Sequence, residues 1–95
     1  METYTTNPRL FKEKAEVLKA LANPVRLCIV RGLMAQESCN VSHIQSCLEM
    51  PQSTISQHLA KLRSVGIIEG RRCGSEVYYS VVSEDSKKIV RALFG

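Results

Sequence analysis

Several features that would announce an enzyme, a membrane protein or a zinc module are missing from these 95 residues. No apolar run approaches the roughly 20 residues a membrane-spanning helix needs. The opening METYTTNPRL lacks the apolar core of a secretory signal, so a cytoplasmic protein without membrane contact is expected. No Cys-x-x-Cys pair occurs, and zinc-ribbon, zinc-finger and thioredoxin-type readings lose their main support. In a cytosolic chain the four cysteines read as thiols, not as a disulfide framework. There is no nucleophile elbow, phosphate loop or HExxH segment, and Glu13 and Glu16 share one helix face as surface acids do, so no enzyme is expected. Repeats, linkers and low-complexity tracts are absent, which leaves one domain over residues 1–95. A single core of that size is marginal, and burial against a second copy would add to it.

Acidic residues are scarce where the cations gather. Residues 1–50 carry six cations and five acids, and residues 76–95 carry three of each. Residues 51–75 carry Lys61, Arg63, Arg71 and Arg72 against Glu69 alone, a net charge of +3. A face built from this stretch would suit a polyanion.

Helix signals come in pairs. Asn7-Pro8 and Asn23-Pro24 each set a capping side chain before a proline at the first helical position. Leu10, Phe11, Val17, Leu18 and Leu21 then recur at helical steps to about Ala22, and Leu27, Val30, Leu33 and Met34 do so to about Gln36. Asn40 caps a short third helix with Val41, Ile44 and Leu48 on its apolar side. Pro51 ends it and opens a fourth, PQSTISQHLAKLRSVG, in which Ile55, Leu59, Leu62 and Val65 form the apolar stripe and Gly66 the C-terminal cap. The period then becomes extended. Ile67 to Arg72 and Glu76 to Val82 flank the turn Cys73-Gly74-Ser75, which predicts a β-hairpin, and Ser83 caps a last helix bearing Ile89, Val90, Leu93 and Phe94.

The expected fold is mainly α with one β-hairpin: four helices, the hairpin, a fifth helix. Residues 40–65 read as a helix-turn-helix and 67–82 as a wing, together a winged helix. On the fourth helix, Gln52, Ser53, Thr54, Ser56, Gln57 and His58 are short hydrogen-bonding side chains suited to base edges in a major groove. Lys61 and Arg63, with Arg71 and Arg72 on the wing, suit phosphates or the minor groove. A merely solvated polar face is the alternative, which the capped helix before it and the basic hairpin after it disfavour.

Three stretches carry a resemblance: LKALANPVRLCIV (18–30), MPQSTISQHLAKLRSVGIIEGRR (50–72) and GSEVYYSV (74–81). From about Ala15 to Phe94 the chain resembles the ArsR/SmtB family of winged-helix repressors. The resemblance implies a homodimer joined through residues 8–22 and 84–94, here Leu10, Phe11, Val17, Leu18, Leu21, Ile89, Val90, Leu93 and Phe94. It implies a near-palindromic double-stranded operator with half-sites about one helical turn apart, ~34 Å. Repression in the family is typically relieved by an inducer. One family site is a Cys-x-Cys pair for arsenite, cadmium or lead; its positions fall on Asn40 and Ser42, and Cys39 misses by one. A zinc site of Asp and His residues on the last helix finds Asp85 but no histidine. A persulfide-sensing cysteine pair finds Arg31 in the second helix and no cysteine in the last.

The chain's own thiols remain. Cys28, Cys39, Cys47 and Cys73 fall at helix flanks, before a cap and at the hairpin tip, so several are expected to be partly exposed and are candidates for thiol sensing, Cys73 in particular beside Arg71-Arg72. Cys39, His43 and Cys47 are spaced by four and would line one helix face if the third helix began early; Asn40 as cap leaves His43 and Cys47, two ligands where a closed zinc site needs four. No metal site is assigned, although a thiophilic metal or metalloid is a candidate signal. Three functions stay open: a repressor released by oxidation or a thiophilic ion, a repressor without a small-molecule ligand, and a winged-helix dimer acting mainly through protein partners.

Overall fold

The computed structural model describes residues 1–95. Five helices and three strands follow one another as α1 (Pro8–Leu21), α2 (Pro24–Gln36), β1 (Cys39–Asn40), α3 (Val41–Leu48), α4 (Gln52–Ser64), β2 (Ile68–Cys73), β3 (Glu76–Val81) and α5 (Glu84–Phe94). The capping logic holds in atomic detail. The side chains of Asn7, Asn23, Asn40 and Ser83 accept from the amides of Leu10, Val25 and Arg26, His43 and Ser86, at the starts of α1, α2, α3 and α5. At the end of α4, the Gly66 amide donates to the Arg63 carbonyl and the Ile67 amide to the Leu62 carbonyl, with Gly66 at φ +78°. That is a Schellman closure, and Leu62 and Ile67, both fully buried, make its apolar contact.

The sheet departs from a simple hairpin. Its order is β1-β3-β2, all antiparallel, with Cys39 opposite Tyr79 and Asn40 opposite Tyr78. The two-residue β1 has no strand pattern of its own; it is held by β3, some forty positions away. In the hairpin proper, Ile68 pairs with Val81 and Cys73 with Glu76. Gly74 takes φ +66° at the first of the two loop positions, as a type II′ turn requires.

The core gathers Ala20 and Leu21 of α1, Ile29, Val30 and Leu33 of α2, Ile44 of α3, Ile55, Leu59 and Leu62 of α4, and Ile67, Ile68, Val81 and Val90. Two corrections follow for the surface assigned to a second copy. Leu21 and Val90 are 4% and 3% exposed and belong to the protomer's own core. Each outer helix lays one edge of its apolar stripe inward and leaves the other outside. On that outer edge Phe11, Leu18, Leu93 and Phe94 are exposed, while Leu10, Val17 and Ile89 are half-buried. No helix is long and apolar enough to cross a membrane.

One buried polar atom has no partner. Ser86 on α5 is fully buried, and its Oγ makes no hydrogen bond. An unsatisfied buried hydroxyl costs about 1–3 kcal/mol. Ser86→Ala should therefore stabilise the fold by about 1 kcal/mol, raising Tm by ~4–8 °C in thermal unfolding followed by circular dichroism. A lower Tm would mean that the hydroxyl contributes a bond not seen here.

Candidate nucleic-acid interface

Burial of Ile55, Leu59 and Leu62 fixes which way α4 faces. With that stripe inward, Gln52, Ser53, Ser56, Gln57, Ala60, Lys61 and Arg63 are left exposed. Ser53, Gln57 and Lys61 stand one above another at four-residue spacing. Thr54 and His58 lie on the flank, both half-buried. The His58 Nδ1 is 3.5 Å from an Arg26 guanidinium nitrogen, and the Arg26 Nε donates to the Ala20 carbonyl at 2.7 Å. Arg26 thus ties α1, α2 and α4 together, and His58 stands apart from the outward row of Gln52, Ser53, Ser56 and Gln57.

α4 is also the one helix without a capping side chain: Pro51 precedes it and offers none. The amides of Thr54 and Ile55 donate to the Pro51 carbonyl, which leaves those of Gln52 and Ser53, at the positive end of the helix dipole, without a partner in the fold. Such a terminus suits a phosphate oxygen. Gln52 shares a groove of about 360 Å³ with Asn40 and Ser42 on one side and Ser75, Glu76 and Val77 of the wing on the other. Arg71 and Arg72 are exposed on β2, an edge strand of the sheet. The wing tip is not purely basic. The Tyr78 hydroxyl donates to the Glu76 carboxylate at 3.1 Å, and that carboxylate holds the phenol above its ordinary value.

The positions corresponding to the family's inducer sites are occupied by other interactions. The Asn40 side chain caps α3. Asp85 pairs with Lys14 of α1, and each holds the other in its charged form: the shared hydrogen bond lowers the carboxyl and raises the ammonium. The Arg31 guanidinium lies over the Phe94 ring, 4.2 Å from its centroid.

Of the four thiols, Cys28, Cys47 and Cys73 are exposed, in line with the expectation that several would be, and Cys39 is buried. Pairing of β1 with β3 draws it inside, and burial pushes its thiol up, with a further rise from the charge of Cys47. Asn40 does leave Cys39 outside α3, yet Cys39 still shares a pocket with His43 and Cys47, and Cys28 lines it from α2. Cys73 stands alone at the end of β2.

Comparison with known proteins agrees with this architecture. A family described as "Helix-turn-helix domain" matches residues 21–71. Transcriptional repressor PagR of Bacillus anthracis is 40% identical over 82 residues, 86% of this chain and 82% of PagR. Its crystal structure superposes with a TM-score of 0.81, covering 87% of this chain and 94% of that one. HlyU from Vibrio cholerae superposes with a TM-score of 0.84 at 34% identity, covering 90% and 91% of the two chains. The HTH-type transcriptional repressor SmtB of Mycobacterium tuberculosis is 40% identical over 75 residues, 79% of this chain; those residues span about half of SmtB, 55% of its length. PagR and SmtB are named transcriptional repressors, and with helix-turn-helix, wing and core in place the chain belongs to the ArsR/SmtB family of winged-helix repressors.

Proposed function

We propose that the protein acts in the cytoplasm as a homodimeric repressor that reads a near-palindromic double-stranded operator and is released by a thiol-directed signal. The row Gln52, Ser53, Ser56 and Gln57 on the outward face of α4 carries this reading, because these side chains are exposed and free of partners in the fold. In a major groove they would meet base edges while Lys61 and Arg63 meet phosphates. Arg71 and Arg72 would hold the flanking backbone or minor groove. The exposed edge formed by Phe11, Leu18, Leu93 and Phe94 would close against the same edge of a second copy, the self-complementary contact a two-fold dimer requires.

The test is a gel shift on a duplex selected from a random library by the protein itself. A sequence-specific shift with two-fold symmetric protection is expected; failure to select any duplex would favour a role through protein partners. Repeating the shift with peroxide, arsenite and zinc, on the wild type and a cysteine-free variant, tests release. Loss of the shift in the wild type alone is expected, and indifference to every addition would leave a repressor without a thiol signal. In the same assay Arg71→Ala with Arg72→Ala should weaken binding to all sequences and reduce the salt slope by about 2, near 0.9 for each lost phosphate contact. An unchanged slope would remove the wing from the interface.

A further inference from the structure

We propose that the pocket between the end of α2 and α5 binds a small organic anion, a monocarboxylate with an aromatic or aliphatic body, and that its occupancy changes operator affinity. The binding stands apart from any thiol signal; the coupling rests on the reading of the chain as an operator-binding dimer.

The pocket measures about 580 Å³. That lies within the roughly 300–1,000 Å³ of sites that take organic ligands. No residue of α3, α4 or the wing tip lines it, so it is separate from the face assigned to DNA. Its floor is apolar. Leu33, Val81 and Val90 are 1%, 8% and 3% exposed and close it from three elements, α2, β3 and α5. The half-buried Met34 and the exposed Phe94 continue that surface outward.

The rim is cationic. Arg31, Lys87 and Arg91 line the space against a single acidic side chain, Glu37. Lys87 pairs with Glu84 at 3.3 Å. The two guanidiniums have no such partner, since none of the chain's four ion pairs includes either. Lys87 and Arg91 are four residues apart on α5, a spacing at which like charges repel, and α2 brings Arg31 to the same space. An anion among them relieves that repulsion. Arg31 is also held in place, its guanidinium 4.2 Å from the centroid of the Phe94 ring. A guanidinium packed on an aromatic face keeps its in-plane N–H groups for the two oxygens of a carboxylate. Apolar floor and guanidinium rim together match an amphiphilic anion; sulfate or phosphate would leave the floor unfilled.

The pocket borders the connection from α2 to the elements that would touch DNA. Glu37 lines it at φ 65° and ψ −47°, and the Ser38 amide donates to the Gln36 carbonyl at 2.7 Å across it. That is a γ-turn of positive φ, a rare and strained form. β1 follows at once, pairs with β3 of the wing, and ends on Asn40, the cap of α3. Val81, in the floor, ends β3, and Phe94 belongs to the exposed edge assigned to a second copy. A ligand here therefore acts on the wing, the start of the helix-turn-helix and the dimer edge. Operator affinity shifts by as much as the ligand's affinity differs between the two arrangements.

The experiment titrates 1-naphthoate and decanoate into the full chain by calorimetry, with 1-naphthamide and sulfate as controls. At least one carboxylate should bind once per protomer, and both controls at least ~10-fold more weakly. Failure of both carboxylates, or equal binding of the amide, overturns the proposal. Arg31→Gln and Arg91→Gln, both at exposed positions and so compatible with folding, should each weaken binding by ~10–100-fold, the loss of a charge-assisted hydrogen bond. Lys12→Gln on α1 should not. Glu37→Gln should tighten binding by removing the opposing charge; weaker binding would overturn the anionic class. Amide shifts in nitrogen-15 spectra should gather at the end of α2 and on α5. Shifts gathered on α4 would place the anion on the DNA face and overturn the site. Analytical ultracentrifugation tests the other occupant, an acidic side chain of a second copy. If Arg31→Gln dissociates the dimer and no carboxylate binds, the cations serve the interface and the site falls. Operator affinity should change by ~5–150-fold on loading the wild type and not in Arg31→Gln. Binding without that change overturns the coupling. If the protein selects no duplex, the operator reading falls while calorimetry still decides the pocket.

Discussion

Leu18→Glu combined with Leu93→Glu is expected to give a folded monomer whose operator affinity falls by ~10³-fold or more. Leu18 and Leu93 are 54% and 63% exposed, so a carboxylate at either position meets water in the isolated protomer and costs the fold little. In a two-fold interface the same substitutions appear on both copies, and like charges would be buried together without partners. A monomer presents a single α4 and half of the basic surface. Specific binding typically exceeds non-specific binding by ~10³–10⁷-fold, and removal of one half-site should forfeit most of that margin. Analytical ultracentrifugation reads the mass, far-UV circular dichroism checks the fold, and a gel shift reads the affinity. A variant that stays dimeric would move the interface off this edge. A monomer with undiminished affinity would end the dimeric reading of the operator.

Much of the fold was legible because its signals are local. Asn7-Pro8 and Asn23-Pro24 state helix starts within two residues, and Gly66 states a stop through a backbone angle few other residues adopt. The stripe Ile55, Leu59 and Leu62 gives the direction of α4, because a period of 3.6 fixes the buried face. Depth is another matter. Leu18 and Leu21 are neighbours on one helical stripe, yet one is exposed and the other buried, since the division depends on what α2 and α5 cover. Cys39 was unreadable for a related reason: a two-residue strand has no period, and its burial is set by a ladder to residues near position 79. For the same reason the spacing of Cys39, His43 and Cys47 did not reveal a shared pocket; a strand, not an early helix start, brings the first of them in. The polar row of α4 was readable as a set but not residue by residue. Thr54 separates from it by its half-burial, and His58 only once Arg26 is seen to reach across from α2.

Leu62→Ala should cost about 2–5 kcal/mol of stability, the usual range for a fully buried leucine reduced to alanine. The position joins three structures. Its side chain anchors α4 in the core, its carbonyl accepts from Ile67 in the helix closure, and its apolar contact with Ile67 aims the chain into β2. Domains of this size hold only about 5–15 kcal/mol in total. Thermal unfolding should show Tm reduced by ~8–40 °C, at about 4–8 °C for each kcal/mol. Comparison at one protein concentration is essential, because association would itself add to apparent stability. Operator DNA then separates a loosened fold from a misdirected one. A duplex present at ~100 times its Kd stabilises the bound state by about 2.7 kcal/mol. If the truncated core only loosens α4, that addition should recover much of the lost Tm, because the outward row is intact. If instead Leu62 sets the angle between α4 and the wing, affinity falls with stability and DNA restores little. A Tm within ~2 °C of the wild type would show that the closure and its neighbours carry α4 without this side chain.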